Sequence, residues 1–204
     1  MKALIVVDLQ NDFLPNGALA VTNGDDIIQV INEIQDRFDI VIATQDWHPI
    51  NHQSFASQHS MKAVFDVIDL NGIQQVLWPN HCVQGTKGAD FAKDWNSNCV
   101  KAIFRKGTDV HIDSYSGFYD NGVGNETGLT GYLREKKVEE VYVCGLAADF
   151  CVFYTARDSF KEGFKTYYLE FATKAISESG YEEAKSIMRD MGVQLLLNKE
   201  DLKV

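Results

Sequence analysis

The sequence predicts one α/β domain spanning residues 1–204, with a doubly wound, mostly parallel six-stranded sheet and helices on both faces. Apolar runs of strand length recur along the chain, and they are nearly continuous, as in strands that are buried on both faces. Segments with apolar residues at helical spacing fall between them, which is typical of β-α-β units. With only 3 prolines and no low-complexity run, nothing marks a linker between domains.

The first predicted unit is a strand followed by a helix. Residues 3–9 (ALIVVDL) form a continuous apolar run of strand length. An acidic start at Asp25 and Asp26 then precedes apolar residues at helical spacing, which are Ile27, Ile28, Ile31, Ile34 and Phe38.

Five further strands and three further helices complete the pattern. The predicted strands are 39–46 (DIVIATQD), 100–107 (VKAIFRKG), 138–145 (VEEVYVCG), 164–171 (FKTYYLEF) and a short 193–197 (VQLLL). The predicted helices lie at about 127–136, 149–161 and 179–191. Between the second and third strands, residues 47–98 read as a long irregular insertion rich in His, Asn, Gln and Trp.

Composition excludes several classes of function. The chain has 29 acidic and 19 basic residues, and its net charge of −10 argues against a nucleic-acid partner or an anionic membrane surface. The N-terminal apolar run is too short for a signal peptide, and no segment approaches the ~20 apolar residues of a membrane span. The four cysteines, Cys82, Cys99, Cys144 and Cys151, form no CxxC pair. We therefore expect a cytoplasmic protein whose cysteines are mostly core residues.

Reactive side chains lie at the predicted strand ends. In open α/β sheets, ligands bind outside the carboxyl ends of the strands, so residues there are expected to converge. The strand ends carry Asp8, then Asp46 with His48 two residues on, then Lys106, and finally Cys151 after the turn at Gly145. Alone, Asp8 could cap a turn and Lys106 could be a solvated charge. Together, an acid, an ammonium and a thiol suggest a nucleophilic site.

Cys151 is the candidate nucleophile. It stands where a strand, a small-residue turn and a predicted helix meet. Unpaired N–H groups in a first helical turn stabilise a thiolate and can bind the oxyanion that forms when the thiolate attacks a carbonyl. The alternative is a buried structural cysteine, since free cysteine is among the most buried residue types.

Six motifs, in order, carry a family resemblance. They are VVDLQNDF (6–13), TQDWHP (44–49), WPNHCVQGT (78–86), RKG (105–107), YSGF (115–118) and GLAADFCV (145–152). The combination resembles the nicotinamidase family of the isochorismatase-like cysteine hydrolase superfamily, from residue 6 to about 155. The resemblance implies the isochorismatase-like hydrolase fold, with Cys151 as nucleophile, Asp8 as general acid/base and Lys106 as third catalytic residue. It also implies an oxyanion hole from the backbone amides of Ala147 and Cys151, and a cis peptide bond between Leu146 and Ala147.

The resemblance further implies one divalent metal ion, bound by Asp46 at the end of a strand and by His48 and His81 in a metal-binding insertion at about 47–98. One carboxylate and two imidazoles suit zinc, which we expect, as well as iron or manganese. His52 as an additional ligand, and Ser54 as a partner of a metal-bound water, stay open.

The implied substrate is nicotinamide, hydrolysed in NAD salvage to nicotinate and ammonia through a cysteine thioester, and pyrazinamide is a further expected substrate. The ring-binding aromatics match Phe13, Trp78 and Tyr115, although aromatic residues near apolar strands usually fill the core. Three alternatives remain: a sibling cysteine hydrolase of the carbamoyl amidohydrolase or isochorismatase type, a thiol redox or metal-storage protein, and an inactive interaction module. A homo-oligomer is possible.

Overall fold

Six strands form the central sheet of the computed structural model, which describes residues 1–122 and 124–203. They are β1 (Lys2–Val7), β2 (Ile40–Asp46), β5 (Val100–Lys106), β6 (Glu140–Leu146), β7 (Lys165–Lys174) and β8 (Gln194–Leu196). Their order across the sheet is β5-β2-β1-β6-β7-β8, and each neighbouring pair is parallel. The predicted doubly wound sheet is therefore confirmed, and it is parallel throughout.

Strands β1, β2 and β6 are buried on both faces, as their continuous apolar runs predicted, whereas the edge strand β5 alternates half-buried and exposed residues over most of its length. All seven residues of β2 are buried. Along β1, Leu4 and Val6 pack into one core, whereas Ala3, Ile5 and Val7 pack into the other. This alternation follows from the two-residue period of strand side chains, and it gives the domain one apolar core on each side of the sheet.

Helices cover both faces. Helix α1 (Asp26–Ile34) buries its four isoleucines on one side. Helices α2 (Leu129–Glu135), α3 (Phe153–Lys161) and α4 (Glu178–Met191) pack on the other. The predicted start of the third helix is wrong, because residues Ala148–Val152 form a single π-helical turn ahead of α3.

The insertion at 47–98 is mostly loops and short 3₁₀ turns, with one hairpin that the sequence analysis did not predict. Its strands are β3 (Val67–Leu70) and β4 (Ile73–Val76), joined antiparallel. Trp78 and Trp95 anchor the insertion in the core on the side of α1. All four cysteines are free thiols; Cys82, Cys144 and Cys151 are buried, and Cys99 is half-buried.

Across the two described ranges, none of the helices combines the length and the apolar character needed to span a bilayer.

Candidate active site

The strand order brings four strand ends together. Strands β5, β2, β1 and β6 are neighbours in the sheet, so Lys106, Asp46, Asp8 and Cys151 meet at its carboxyl edge. Asp46 and Lys106 are direct partners in the β2–β5 register. The side chains of Asp8 and Lys106 are completely buried. The expected convergence of these residues is thus what the fold produces.

Lys106 contacts Asp8, Asp46 and Cys151 through its ammonium group. Its Nζ donates hydrogen bonds to Asp46 Oδ1 (2.5 Å), Ser114 O (3.0 Å) and Cys151 Sγ (3.3 Å). Nζ also lies 2.8 Å from Asp8 Oδ2. Four acceptors therefore surround the three N–H groups of the ammonium. The contact with Asp8 is a buried ion pair.

Asp8 is held in place by its backbone and by Thr44. Its φ of 46° lies in the left-handed region, which aspartate tolerates better than most residues. The Thr44 hydroxyl donates to Asp8 Oδ1 at 2.6 Å, and the Asp8 amide donates back to Thr44 Oγ1 at 3.2 Å. Among the residues that the structure describes, Asp8 Oδ2 receives no hydrogen bond.

Cys151 lies near the Asp8 carboxylate. Its Sγ, an oxygen of Asp8 and an oxygen of Asp46 all lie within 4.8 Å of one another. Burial raises the pKa of the Cys151 thiol well above its usual range, and the Lys106 ammonium only partly opposes this. The raised pKa favours the thiol over the thiolate, so nucleophilic attack by Cys151 needs a base. The peptide bond between Leu146 and Ala147 is cis, as the resemblance implied.

The cluster carries opposed buried charges. Burial disfavours an ionised Asp46, but Lys106 and His48 outweigh it and hold the pKa of Asp46 well below its ordinary value. Burial likewise opposes the Lys106 ammonium, yet Asp46 and Asp8 raise its pKa well above the usual value. Two carboxylates face one ammonium, so a further cation near Asp46 would improve the charge balance of this buried region.

Asp46, His48 and His81 form a donor set that suits such a cation. Asp46 Oδ2 lies 3.4 Å from His48 Nε2 and 3.5 Å from His81 Nε2. His48 Nδ1 contacts Gly107 O at 2.9 Å, and His81 Nδ1 contacts Pro79 O at 2.9 Å. A carbonyl only accepts, so Nδ1 of each ring carries a proton, and Nε2 is the atom that faces the carboxylate. Burial opposes a charged His48, but Asp46 raises its pKa above the ordinary value. One carboxylate oxygen and two Nε2 atoms facing one another match the donor set of a divalent metal such as zinc.

His52 differs from His48 and His81 in which ring nitrogen carries the proton. The Ser54 amide donates to His52 Nδ1 at 3.1 Å, and Ser54 Oγ contacts the same nitrogen at 2.7 Å. Nδ1 must therefore be an acceptor, which places the ring proton on Nε2. Burial lowers the pKa of His52 to about 4, so the ring is neutral. In this tautomer His52 Nε2 is a donor rather than a metal ligand, and Ser54 is occupied by the imidazole.

A small pocket with a cavity volume of about 20 Å³ opens onto Cys151. The predicted aromatics Phe13, Trp78 and Tyr115 line it, as do the predicted Ala147, Asp46 and His81. Its remaining lining residues are Leu19, Asp113, Phe150 and Ile176, none of which the sequence analysis singled out.

Several residues of the site escaped sequence reasoning. Gln10 clamps the backbone of Asp46, since its Oε1 accepts from the Asp46 amide and its Nε2 donates to the Asp46 carbonyl, both at 2.8 Å. Gln10 and Thr44 lie inside quoted motifs, which was the available signal. Asp113 and its partner Gln75 lie outside all six motifs, and nothing in their local sequence marks them.

Several known proteins are similar to this chain over nearly its whole length. The isochorismatase domain family matches residues 2–200. A nicotinamidase of Acinetobacter baylyi is 46% identical over 201 residues, covering 98% of this chain and 94% of the relative. The solved structure of an Acinetobacter baumanii nicotinamidase and pyrazinamidase has a TM-score of 0.96 at 48% identity and 98% coverage of both chains. A Pyrococcus horikoshii pyrazinamidase in complex with zinc has a TM-score of 0.78 at 38% identity, covering 97% of this chain and 99% of that one.

Proposed function

The chain belongs to the isochorismatase family, and from that membership and its site we propose that it hydrolyses nicotinamide to nicotinate and ammonia in NAD salvage. One observation carries the proposal: a buried Asp8, Lys106 and Cys151 cluster adjoins a small aromatic pocket that also holds a metal-binding donor set. Relatives named nicotinamidase at 46% and 40% identity support it. Pyrazinamide is the second substrate that we propose, since the solved relative at 48% identity is named for both activities.

The reaction begins with a proton transfer from Cys151 to Asp8. Burial raises the pKa of the Cys151 thiol, so the thiol needs a base, and Asp8 supplies a carboxylate within 4.8 Å of Sγ. Burial raises the pKa of Asp8 above its ordinary 3.8, although Lys106 opposes the shift, and this makes Asp8 a stronger base than a solvated aspartate. The Lys106 N–H that points to Sγ stabilises the thiolate as it forms.

The Cys151 thiolate then attacks the amide carbon and forms a tetrahedral oxyanion. We assign its stabilisation to the backbone amides of Ala147 and Cys151, at a contribution of about 3 kcal/mol per donor. Asp8 returns its proton to the departing nitrogen, so that the C–N bond breaks, ammonia leaves and a thioester remains on Cys151. Asp8 is again ionised at the end of this half-reaction.

The second half-reaction hydrolyses the thioester. Ionised Asp8 takes a proton from a water molecule, whose oxygen attacks the thioester carbon. The C–S bond breaks, the thiolate regains the proton from Asp8, and nicotinate leaves. Overall, one amide and one water give one carboxylic acid and one ammonia, with Cys151 and Asp8 restored.

Substrate binding is assigned to the pocket walls. Phe13, Trp78 and Tyr115 supply aromatic surface for a flat heteroaromatic ring. Asp46, His48 and His81 would hold a divalent cation, which would supply a Lewis acid for a ring nitrogen. Zinc is the ion we propose, because the Pyrococcus horikoshii relative was solved with zinc; iron and manganese also suit these donors. The segment 47–98, which contributes His48 and His81, is thus a metal-binding insertion.

The first test measures ammonia release from nicotinamide. We expect turnover by the wild-type protein, loss of turnover after metal chelation, and loss of about 10³-fold or more in kcat for Cys151→Ala, because nucleophilic attack depends on the thiol. Cys99→Ala is the matched control, since that thiol is half-buried and lies outside the pocket. Normal turnover by Cys151→Ala, or turnover of another amide but not of nicotinamide, would contradict the proposal.

A further inference from the structure

Gln75 is the buried residue of strand β4, whose other residues are half-buried or exposed. It lies in β4 and is 1% exposed, whereas the neighbouring Gln74 is exposed. Its Nε2 lies within hydrogen-bond distance of Asp113 Oδ2 (2.9 Å), Tyr115 Oη (3.0 Å) and Val76 O (2.8 Å). One buried amide therefore links the β3–β4 hairpin to the loop that follows β5.

Asp113 and Tyr115, which Gln75 contacts, line the pocket, whereas Gln75 itself does not. Trp78 Nε1 donates to the same Tyr115 Oη at 3.3 Å, and the two rings meet edge to face with centroids 6.2 Å apart. The Tyr115 hydroxyl thus accepts a hydrogen bond from Trp78 and also lies within hydrogen-bond distance of the Gln75 amide. Asp113 is fixed in turn by Gln75 and by the Ser114 amide at 2.8 Å.

The consequence follows from the cost of an unmade buried hydrogen bond. The two N–H groups of the Gln75 amide are shared among its three acceptors. Without them, the buried Asp113 carboxylate and the half-buried Tyr115 hydroxyl would lose donor contacts, and both groups would be driven to reorient. Reorientation of Tyr115 moves the edge contact with Trp78.

Asp8, Lys106 and Cys151 make no hydrogen bond with Gln75 in the part of the chain that the structure describes. One indirect connection runs through Ser114, whose amide donates to Asp113 and whose carbonyl accepts from Lys106, so we expect the main effect at the pocket wall.

We propose that Gln75 is a positioning residue for substrate binding, which acts through the Tyr115 hydroxyl and Asp113 to set the aromatic wall of the pocket. This inference rests on the proposed function, because it assigns Tyr115 and Trp78 to the substrate ring. Gln75 then governs KM and product affinity, and the chemical step is unaffected.

The test compares Gln75→Met with Gln74→Met, which makes the same change at the exposed neighbouring position. Methionine keeps the length of glutamine but removes the donor. For Gln75→Met we expect KM for nicotinamide and Kd for nicotinate to rise by about tenfold, with kcat within about twofold of wild type. Gln74→Met is expected to match the wild type. Calorimetric titration with nicotinate gives Kd without turnover.

A double-mutant cycle shows whether Gln75 acts through Tyr115. In a Tyr115→Phe background the shared hydroxyl is gone, so Gln75→Met is expected to add less to KM than it does alone. If Gln75→Met does not fold, Gln75→Glu supplies the comparison: it retains the side-chain shape, replaces the donor by an oxygen facing Asp113, and is expected to raise KM in the same way.

Unchanged KM in a folded Gln75 variant, full additivity with Tyr115→Phe, or a fall in kcat alone would overturn the inference while wild-type turnover still supports the proposed function. Absence of ammonia release by the wild-type protein would overturn the proposed function and this inference with it.

Discussion

At the scale of single residues, the contacts of its carboxylate distinguish Asp8 from the other groups of the cluster. Lys106 Nζ donates to Asp46, Ser114 and Cys151 and forms an ion pair with Asp8 Oδ2. Asp8 Oδ1 accepts a hydrogen bond from Thr44. In the proposed reaction the Asp8 carboxylate accepts the thiol proton.

The pH profile tests this role of Asp8. The base must be ionised, so kcat/KM is expected to rise with pH through the Asp8 pKa, which burial raises above 3.8, and then to level off. Thr44→Val removes a hydrogen bond that lowers this pKa, so the acid limb is expected to shift to higher pH. Asp8→Asn is expected to lose about 10²- to 10⁴-fold in kcat.

The pH profile is measured from initial rates at saturating metal. Dissociation of the metal at low pH then does not lower kcat/KM and cannot be mistaken for protonation of Asp8. An acid limb that stays in place in Thr44→Val would show that another group titrates there.

At the scale of elements, the turn after β5 supports the metal-binding residues. Gly107 has a φ of +63°, and a Cβ added there would lie 2.3 Å from His48 Cε1 and 2.6 Å from His48 Nδ1. The Gly107 carbonyl also fixes the His48 tautomer. The glycine thus serves both as a left-handed turn residue and as the space that the imidazole fills.

Gly107→Ala is therefore expected to displace His48 and to weaken metal binding by about tenfold or more, as loss of a supporting contact does at metal sites. Gly163→Ala is the matched control, because its φ of +87° carries similar backbone strain while nothing lies within 4 Å of the added Cβ. Competition with a chromophoric chelator measures the affinities. Equal metal affinity in the two variants would refute the steric role of Gly107.

At the scale of the whole molecule, the proposed metal joins two parts of the chain. Asp46 ends the central strand β2, whereas His81 lies in the insertion at 47–98 and is separated from Asp46 by the β3–β4 hairpin. Binding to these donors requires the insertion to be docked on the sheet. A metal that binds only the folded protein raises the free energy of unfolding, by about 2.7 kcal/mol at 100 times its Kd.

Chelation is accordingly expected to lower the unfolding temperature by about 5 to 10 °C, given about 2 to 4 °C per kcal/mol for a chain of this size. His81→Ala is expected to abolish the difference between metal-loaded and chelated protein, while His111→Ala, at an exposed position, is expected to preserve it. Differential scanning calorimetry provides the measurement. The same unfolding temperature with and without chelator would contradict a metal that bridges these two parts.

Sequence patterns predicted much of this molecule because they record local physics. Continuous apolar runs predicted the six strands, since a strand buried on both faces has no polar side. Helical spacing predicted the four helices, whose ends differ by a few residues. Parallel strands then place their carboxyl ends on one edge, so Asp8, Asp46, Lys106 and Cys151 could be grouped before any coordinates. The family motifs supplied the proposed roles.

The sequence by itself determined the alternation of strands and helices and the chemical groups at the strand ends, because both depend on neighbours along the chain. The tertiary structure decided the surroundings of those groups: the burial that raises the pKa of Cys151, the ion pair of Asp8 with Lys106, the hydrogen bonds of His52 and the link from Gln75 to Tyr115. Each arises from burial or from a hydrogen bond set by packing, often between residues 36 to 45 positions apart, and periodicity along the chain carries no information about such contacts.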